Sequence, residues 1–241
     1  MNGKNWGRRI KSGAEIILIA VMIFAVSAAG ERKLSSAEWT RLRKGEIIRE
    51  VKNEGGTQSG AWSAGLFNHP PPLMWKVITS LELYSKFIKR TTVSVLLDEQ
   101  AKNKVLASKT TDANSIEKLF KGMKPGFKRI EPDGRWTVYS YQRNQLPWPV
   151  NDRWVLLEIT HDDKAMKQSW KRLAGTIKQD FGSWKLSLVD KDKTLAICQI
   201  HLDLDIPATG PFVAYAMDVS LPETYRAFEN MAQAYLKGKI K

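Results

Sequence analysis

Asp203 and Asp205 are the nearest this sequence comes to a general acid and base pair, two carboxylates two residues apart in an alternating strand. The same alternation sets Cys198, Ile200, Leu202 and Leu204 on the opposite side. The pair is therefore expected on a wet face, away from any apolar pocket. His161-Asp162-Asp163 has the donor types of a metal site, but at a strand end it reads as an exposed polar turn. The other two histidines are isolated: His69 precedes a proline run and His201 belongs to the same wet face as the aspartates. The single cysteine, Cys198, can form no intramolecular disulfide and reads as core in its apolar strand. There is no Gly-x-Ser-x-Gly, no glycine-rich phosphate loop and no metal-ligand spacing. No catalytic residue, metal or cofactor is expected.

The elements that must position any site follow in chain order. Ser36 to Trp39 opens a short helix capped by Ser35 or Ser36 and ended by Gly45. Strands at 46–52 and 60–68 flank the turn Asn53-Glu54-Gly55-Gly56, and Trp62, Ala64 and Leu66 share one face of the second. Pro70-Pro71-Pro72 starts a pair of helices. Residues 91–97 and 104–110 read as a hairpin, 111–134 as an insertion near a pocket rim, and 135–143 as a strand with Tyr139 and Tyr141 on one side and Trp136 and Val138 on the other. Strands at 153–161, 169–181, 183–189 and 194–204 complete an antiparallel run. The final helix is expected to begin at Ser220-Leu221-Pro222-Glu223, a capping box with proline in the first turn, and to show an apolar face of Tyr225, Phe228, Ala232 and Tyr235.

One stretch joins the strands at 135–143 and 153–161: Pro147-Trp148-Pro149-Val150-Asn151-Asp152-Arg153-Trp154. Two prolines around a tryptophan stiffen the chain, and an Asp-Arg pair stands at the start of an apolar strand. The string resembles the Pro-Trp-Pro and Asp-Arg signature of START domains, within the START-like superfamily that includes polyketide cyclases and aromatases. Ordered echoes extend the resemblance over residues 36–236. Gly45-Glu46-Ile47-Ile48 resembles the opening strand, Pro70 to Ile78 the first helix, Tyr84-Ser85-Lys86-Phe87 the next, Gly182-Ser183-Trp184-Lys185-Leu186 a late strand, and Ile206-Pro207 the approach to the last helix. The chain departs from the pattern at Asp203 to Pro207, where a glycine-containing turn is usual, and at Trp154, where an acidic residue often follows the arginine.

The resemblance implies an α+β helix-grip (START-like) fold: a curved antiparallel sheet wrapped around a long C-terminal helix, with an internal hydrophobic cavity. Nine tryptophans, six tyrosines and eight phenylalanines are more than a small core needs. Trp62, Tyr84, Tyr139, Tyr141, Trp148 and Phe228 are the candidate walls, each equally explicable as ordinary packing. Arg153 is the polar candidate, either aimed at a ligand or paired with Asp152. The implied function is non-covalent binding, and possible carriage, of a lipid or other hydrophobic molecule by a monomer. The alternative is a cyclase-like or aromatase-like enzyme.

With 38 basic against 25 acidic residues the 241-residue chain carries a formal charge of +13. The basic residues are scattered rather than clustered, which suits transient contact with an anionic membrane better than nucleic acid. Lys4, Arg8, Arg9 and Lys11, the apolar run from Ile16 to Val26 and the small residues Val26-Ser27-Ala28 have the anatomy of a signal peptide over residues 1–28. The run is shorter than the roughly 18 residues of a spanning helix. A periplasmic or secreted bacterial protein is expected, with inner-membrane anchoring as the alternative.

Overall fold

The computed structural model describes residues 32–55, 58–126, 128–146, 151–205 and 210–240, with the side chains of 210–213 excepted. The leader, Trp148 with its flanking prolines, and Ile206 to Thr209 lie outside the described residues. The chain divides into a unit from Met1 to Leu34 and a compact one from Ser35 to Lys241. Among the described residues no helix is long and apolar enough to cross a membrane.

Helix α1, Ser36–Arg43, has the expected start. Ser35 accepts from the Glu38 amide while Glu38 reaches back to the Ser35 amide, which satisfies two amides that the first helical turn leaves without partners. Gly45 then turns the chain at φ +82°, a conformation that costs glycine nothing. The strands are β1 (Ile48–Gly55), β2 (Gln58–Phe67), β3 (Thr91–Leu97), β4 (Arg129–Ile130), β5 (Trp136–Asn144), β6 (Arg153–Asp162), β7 (Lys167–Gly175), β8 (Gln179–Asp190) and β9 (Lys193–Asp203). All pairings are antiparallel. The order across the sheet is β1-β2-β9-β8-β7-β6-β5-β3, with β4 also on β5. Helices α2 (Pro71–Thr79) and α3 (Tyr84–Phe87), joined by a 3-10 turn at Leu81–Leu83, precede β3.

Helix α6, Gly210–Leu236, packs on the inner face of the sheet against β1, β2 and α2. Met217, Leu221, Tyr225, Phe228, Met231 and Ala232 supply its buried stripe, at the three- and four-residue spacing of one helix face. Gly65 is the point of closest approach. A Cβ there would stand 2.3 Å from the Tyr225 ring, so only glycine lets that ring lie on the strand. The Tyr225 hydroxyl donates to the Ala196 carbonyl at 3.0 Å and lies 3.3 Å from the Ser63 hydroxyl, so its burial leaves no polar group stranded. A second apolar cluster covers the outer face, where Tyr139, Tyr141, Trp154 and Leu156 meet Leu97, Ala101, Val105 and Ile116.

Four expectations are corrected. The turn at 98–103 and the second hairpin arm expected at 104–110 are not there: Glu99–Ala107 is helix α4. Asp98 caps it by accepting from the Ala101 amide at 2.7 Å, and Ala101 and Val105 are buried by the outer cluster. The cap was visible in the sequence, but β-branched residues nearby masked it. Asp98→Ala is expected to cost about 1 kcal/mol of stability, measurable by urea unfolding. The strand expected at 169–181 ends at Gly175, and Asp180 belongs to β8. Helix α6 starts ten residues before the expected capping box, so Pro222 lies inside it and has no N–H to offer the Asp218 carbonyl. Asp203, expected on a wet face, is 1% exposed and 3.7 Å from Lys178.

Candidate functional site

A cavity of about 270 Å³ lies between the inner face of the sheet and α6. Strand alternation decides its walls. On β6 the inner positions are Arg153, Leu157 and Ile159; on β8 they are Asp180 and Trp184; on β9 they are Ile200 and Leu202. Tyr84 and Leu81 close it from the α2–α3 side, and Ser220 and Thr224 from α6. Polar groups gather where the strands begin or end, at Arg90, Asn144, Gln145, Arg153 and Asp180, with Gln168 toward the other end of β6 and β7.

Asp180 is the most unusual of these. It is among the lining residues, and burial pushes its carboxyl up to about 6 from the ordinary 3.8, although the Trp170 hydrogen bond and the Arg172 charge oppose the rise. The Trp170 indole donates to Asp180 Oδ1 at 2.7 Å. That geometry depends on Gly182, over which the Trp170 ring lies. A Cβ there would be 2.5 Å from the ring and 2.2 Å from the Gln199 carbonyl oxygen. Gly182→Ala is expected to lose about 1–3 kcal/mol and to displace Trp170, read by urea unfolding and near-ultraviolet circular dichroism. Next to Asp180, Arg172 donates to the Gly175 carbonyl at 2.8 Å and keeps a buried Nε with no partner among the described residues. Burial also raises the Cys198 thiol, with Asp180 adding to the effect, so Cys198 is no ready nucleophile.

The sequence candidates separate by face. Arg153 and Tyr84 line the cavity. Tyr84 donates to the Ile78 carbonyl at 2.7 Å, and its ring lies 5.6 Å from that of Phe228, which is fully buried beside Trp184. Tyr139 and Tyr141 point to the outer face and belong to the second cluster. Tyr139 takes a hydrogen bond from Arg129 at 2.6 Å, and Tyr141 donates to Glu117 at 3.0 Å. Trp62 alternates with Ser63 and so also faces outward, half-buried. Trp148 lies outside the described residues.

Asp152 does not hold Arg153. It pairs with Arg143 at 2.9 Å on the outer face, where Arg143 also binds Asn114 of α5 (Ala113–Lys118) at 2.9 Å. Arg153 instead donates to the main-chain carbonyls of Asn151, Asp152 and Leu204 at 3.3–3.5 Å. Sequence reading missed Asp180, Trp170 and Gln168. The available signal was an acidic residue two positions before Gly182 and four before Trp184, on the side that those two residues mark as apolar.

His161 does not belong to the exposed polar turn expected of His161-Asp162-Asp163. His161 is wholly buried, stacked 3.6 Å from Trp136 and 3.0 Å from the Gln168 amide nitrogen, and burial pushes it down to about 3. Asp163 accepts from the indoles of Trp75 and Trp136 at 2.9 and 2.8 Å. Among the described residues no group of three or more histidine, cysteine, aspartate or glutamate side chains could hold a metal ion. A larger cleft, about 1070 Å³, borders β3 and residues 114–128. It runs along the sheet edge and carries four lysines at its rim. The cavity under α6 is the better candidate because it combines an apolar lining with the carboxylate of Asp180 beneath the helix.

No family model matches the chain, and no curated protein matches it in sequence. Solved structures do match its fold. Human STARD10 aligns with a TM-score of 0.55 and 8% identity over 86% of this chain and 83% of that one. A START superfamily protein from Mycobacterium smegmatis gives 0.51 and 9% over 79% and 99%. A STAR-related lipid transfer protein from Xanthomonas axonopodis gives 0.50 and 18% over 78% and 93%. The chain therefore has the START-like helix-grip fold that the sequence resemblance implied.

Proposed function

We propose that this protein binds a lipid or other hydrophobic small molecule non-covalently in the cavity beneath α6, and that it carries its ligand between membranes. The observation that carries this reading is the cavity itself, walled by Leu157, Ile159, Trp184, Ile200 and Leu202 and placed between sheet and helix. Burial of apolar ligand surface contributes about 25 cal/mol per Å², so affinity needs no catalytic group. At about 30 Å³ per water-sized group, the cavity holds a small molecule or one end of a longer one.

Entry requires movement, and α6 has an uneven hold on the sheet. Its second half is pinned by His69 to Glu229 at 2.7 Å and by Ser80 to Tyr235 at 2.6 Å. The first half is tied by Arg49 to Asp218, before the bond lost at Pro222. We place the gate in that first half. The formal +13 charge would hold the protein near anionic head groups during exchange, and export by residues 1–28 to a periplasmic or extracellular location fits a carrier.

Native mass spectrometry with lipid extraction on protein purified from its host tests the reading. A co-purifying hydrophobic mass near one-to-one occupancy is expected. An empty protein that takes up neither fatty acids, sterols nor phospholipids would sink it. Asp180 favours a second reading, because a carboxyl of about 6 inside a cavity suits general acid or base work on a cyclase-type substrate. Turnover of a supplied polyketide-like chain that disappears in Asp180→Asn would move the weight there.

A further inference from the structure

The Trp170 indole crosses over Gly182 to fix one oxygen of Asp180, and Trp170 is the carboxylate's one hydrogen-bond partner among the described residues. Its other oxygen is left to the cavity that Asp180 lines. A carboxylate spends free energy to be buried, and it is retained where a donor satisfies it. The positive charge near it is already in place. Arg172 stands beside it from β7, where it would follow the last pair Lys171 to Phe181. Arg153 lines the same cavity from β6, four residues along from Leu157, the residue paired with Arg172. A cationic head would meet those arginines, and an anionic head would meet Asp180. A neutral head with an O–H donor meets neither penalty.

We propose that the cavity selects a neutral amphiphile with a hydroxyl on its head, and that the free oxygen of Asp180 accepts the hydrogen bond from that hydroxyl. This rests on the binding reading above and adds the chemical class of the ligand. Trp170 and Gly182 act as positioning residues, because they aim the carboxylate without touching the ligand's donor. The apolar tail lies along Leu157, Ile159 and Trp184. A site built to bond an O–H rejects the analogue that lacks it, since its own polar group is then left unpaired.

The test uses four probes of one chain length, 1-decanol, decyl methyl ether, decanoate and decylamine, titrated calorimetrically into the full chain at pH 7.5. Decanol is expected to bind at least tenfold more tightly than each of the other three. In Asp180→Asn the amide oxygen keeps the Trp170 bond and turns an N–H₂ toward the cavity. Both ether and alcohol oxygens accept from it, so their affinities are expected to fall within twofold of each other. Wild-type protein that binds ether and alcohol equally, or an alcohol preference that survives in Asp180→Asn, overturns the inference and leaves the binding reading standing. Failure of all four probes, together with an empty protein by native mass spectrometry, overturns both.

Discussion

Truncating Phe228 to alanine is expected to lower the unfolding free energy by about 3–5 kcal/mol, a large share of what a domain of this size possesses. Phe228 has no exposed surface. Its ring sits 5.6 Å from Tyr84 and 5.4 Å from Trp184, so it joins α3, α6 and β8 in one contact. Removing it takes away the transfer free energy of the ring and leaves a void that continues the neighbouring cavity. Relaxation is restricted because Met231 and Ala232, one turn on, are themselves fully buried. Urea unfolding monitored by tryptophan fluorescence gives the number. Tyr215 on the same helix is 68% exposed and provides the control, with Tyr215→Ala expected to stay within about 0.5 kcal/mol of the parent. A loss below about 1 kcal/mol for Phe228→Ala would mean that α6 is not the lid of the inner core.

The pH dependence of stability should show two buried groups working against each other. Asp180 is raised by burial to about 6 in the folded state, so between its ordinary value near 3.8 and 6 the folded chain holds a proton that the unfolded chain has lost. Its contribution is therefore fully present below about pH 4 and is lost as pH rises through 6. His161 is pushed down by burial to about 3, so between 3 and its ordinary 6.5 the unfolded chain holds the extra proton. Its contribution is present above 6.5 and is lost as pH falls. Each acts with a slope of up to about 1.4 kcal/mol per pH unit, with opposite sign.

Wild-type stability is thus expected to be nearly flat from pH 6 to pH 4. Below that the loss steepens, because carboxylates such as Asp163 and Asp218, held low in the folded state by hydrogen bonds from Trp136 and Arg49, must take up protons. Each variant removes one arm. Asp180→Asn should lose stability steadily as the pH drops from 6.5, and His161→Gln should gain it from 6 to 4. Urea midpoints at pH 7, 6, 5 and 4.5 settle the point by their slopes, whatever constant offset each substitution brings. An Asp180→Asn curve parallel to the parent's would show that this carboxyl titrates like an exposed one.

Much of this architecture could be read from neighbouring residues. The Ser35 to Glu38 capping box, the proline-led α2 and the alternation of Cys198, Ile200 and Leu202 against Gln199 and His201 are local signals, and each is realised. Where the reading failed, contacts far along the chain had overruled a local signal. The Ser220 to Glu223 box is a good helix start by itself, but the helix continues back to Gly210 because Met217 and Leu221 find an apolar surface on the sheet. Asp98 caps a helix rather than a turn because Ala101 and Val105 gain burial on the outer face.

The candidate site divides along the same line. Alternation has a period of two residues and is set by backbone geometry, so the sequence alone determined that Tyr139 and Tyr141 share a face and that Trp136 and Val138 share the other. Which of those faces becomes the inside depends on where α6 comes to rest. That is decided by pairs such as Ser63 with Tyr225, 162 residues apart. The two tyrosines therefore pack under α4 and α5, and Arg153 reaches the cavity without pairing to the Asp152 carboxylate, which Arg143 holds. Asp180 becomes a buried carboxylate only because the break after Gly175 brings β8 back alongside Trp170. The sequence determined the elements and which residues each strand puts on a common side. The tertiary structure decided which side is interior, because interior is a property of the packed sheet and helix together.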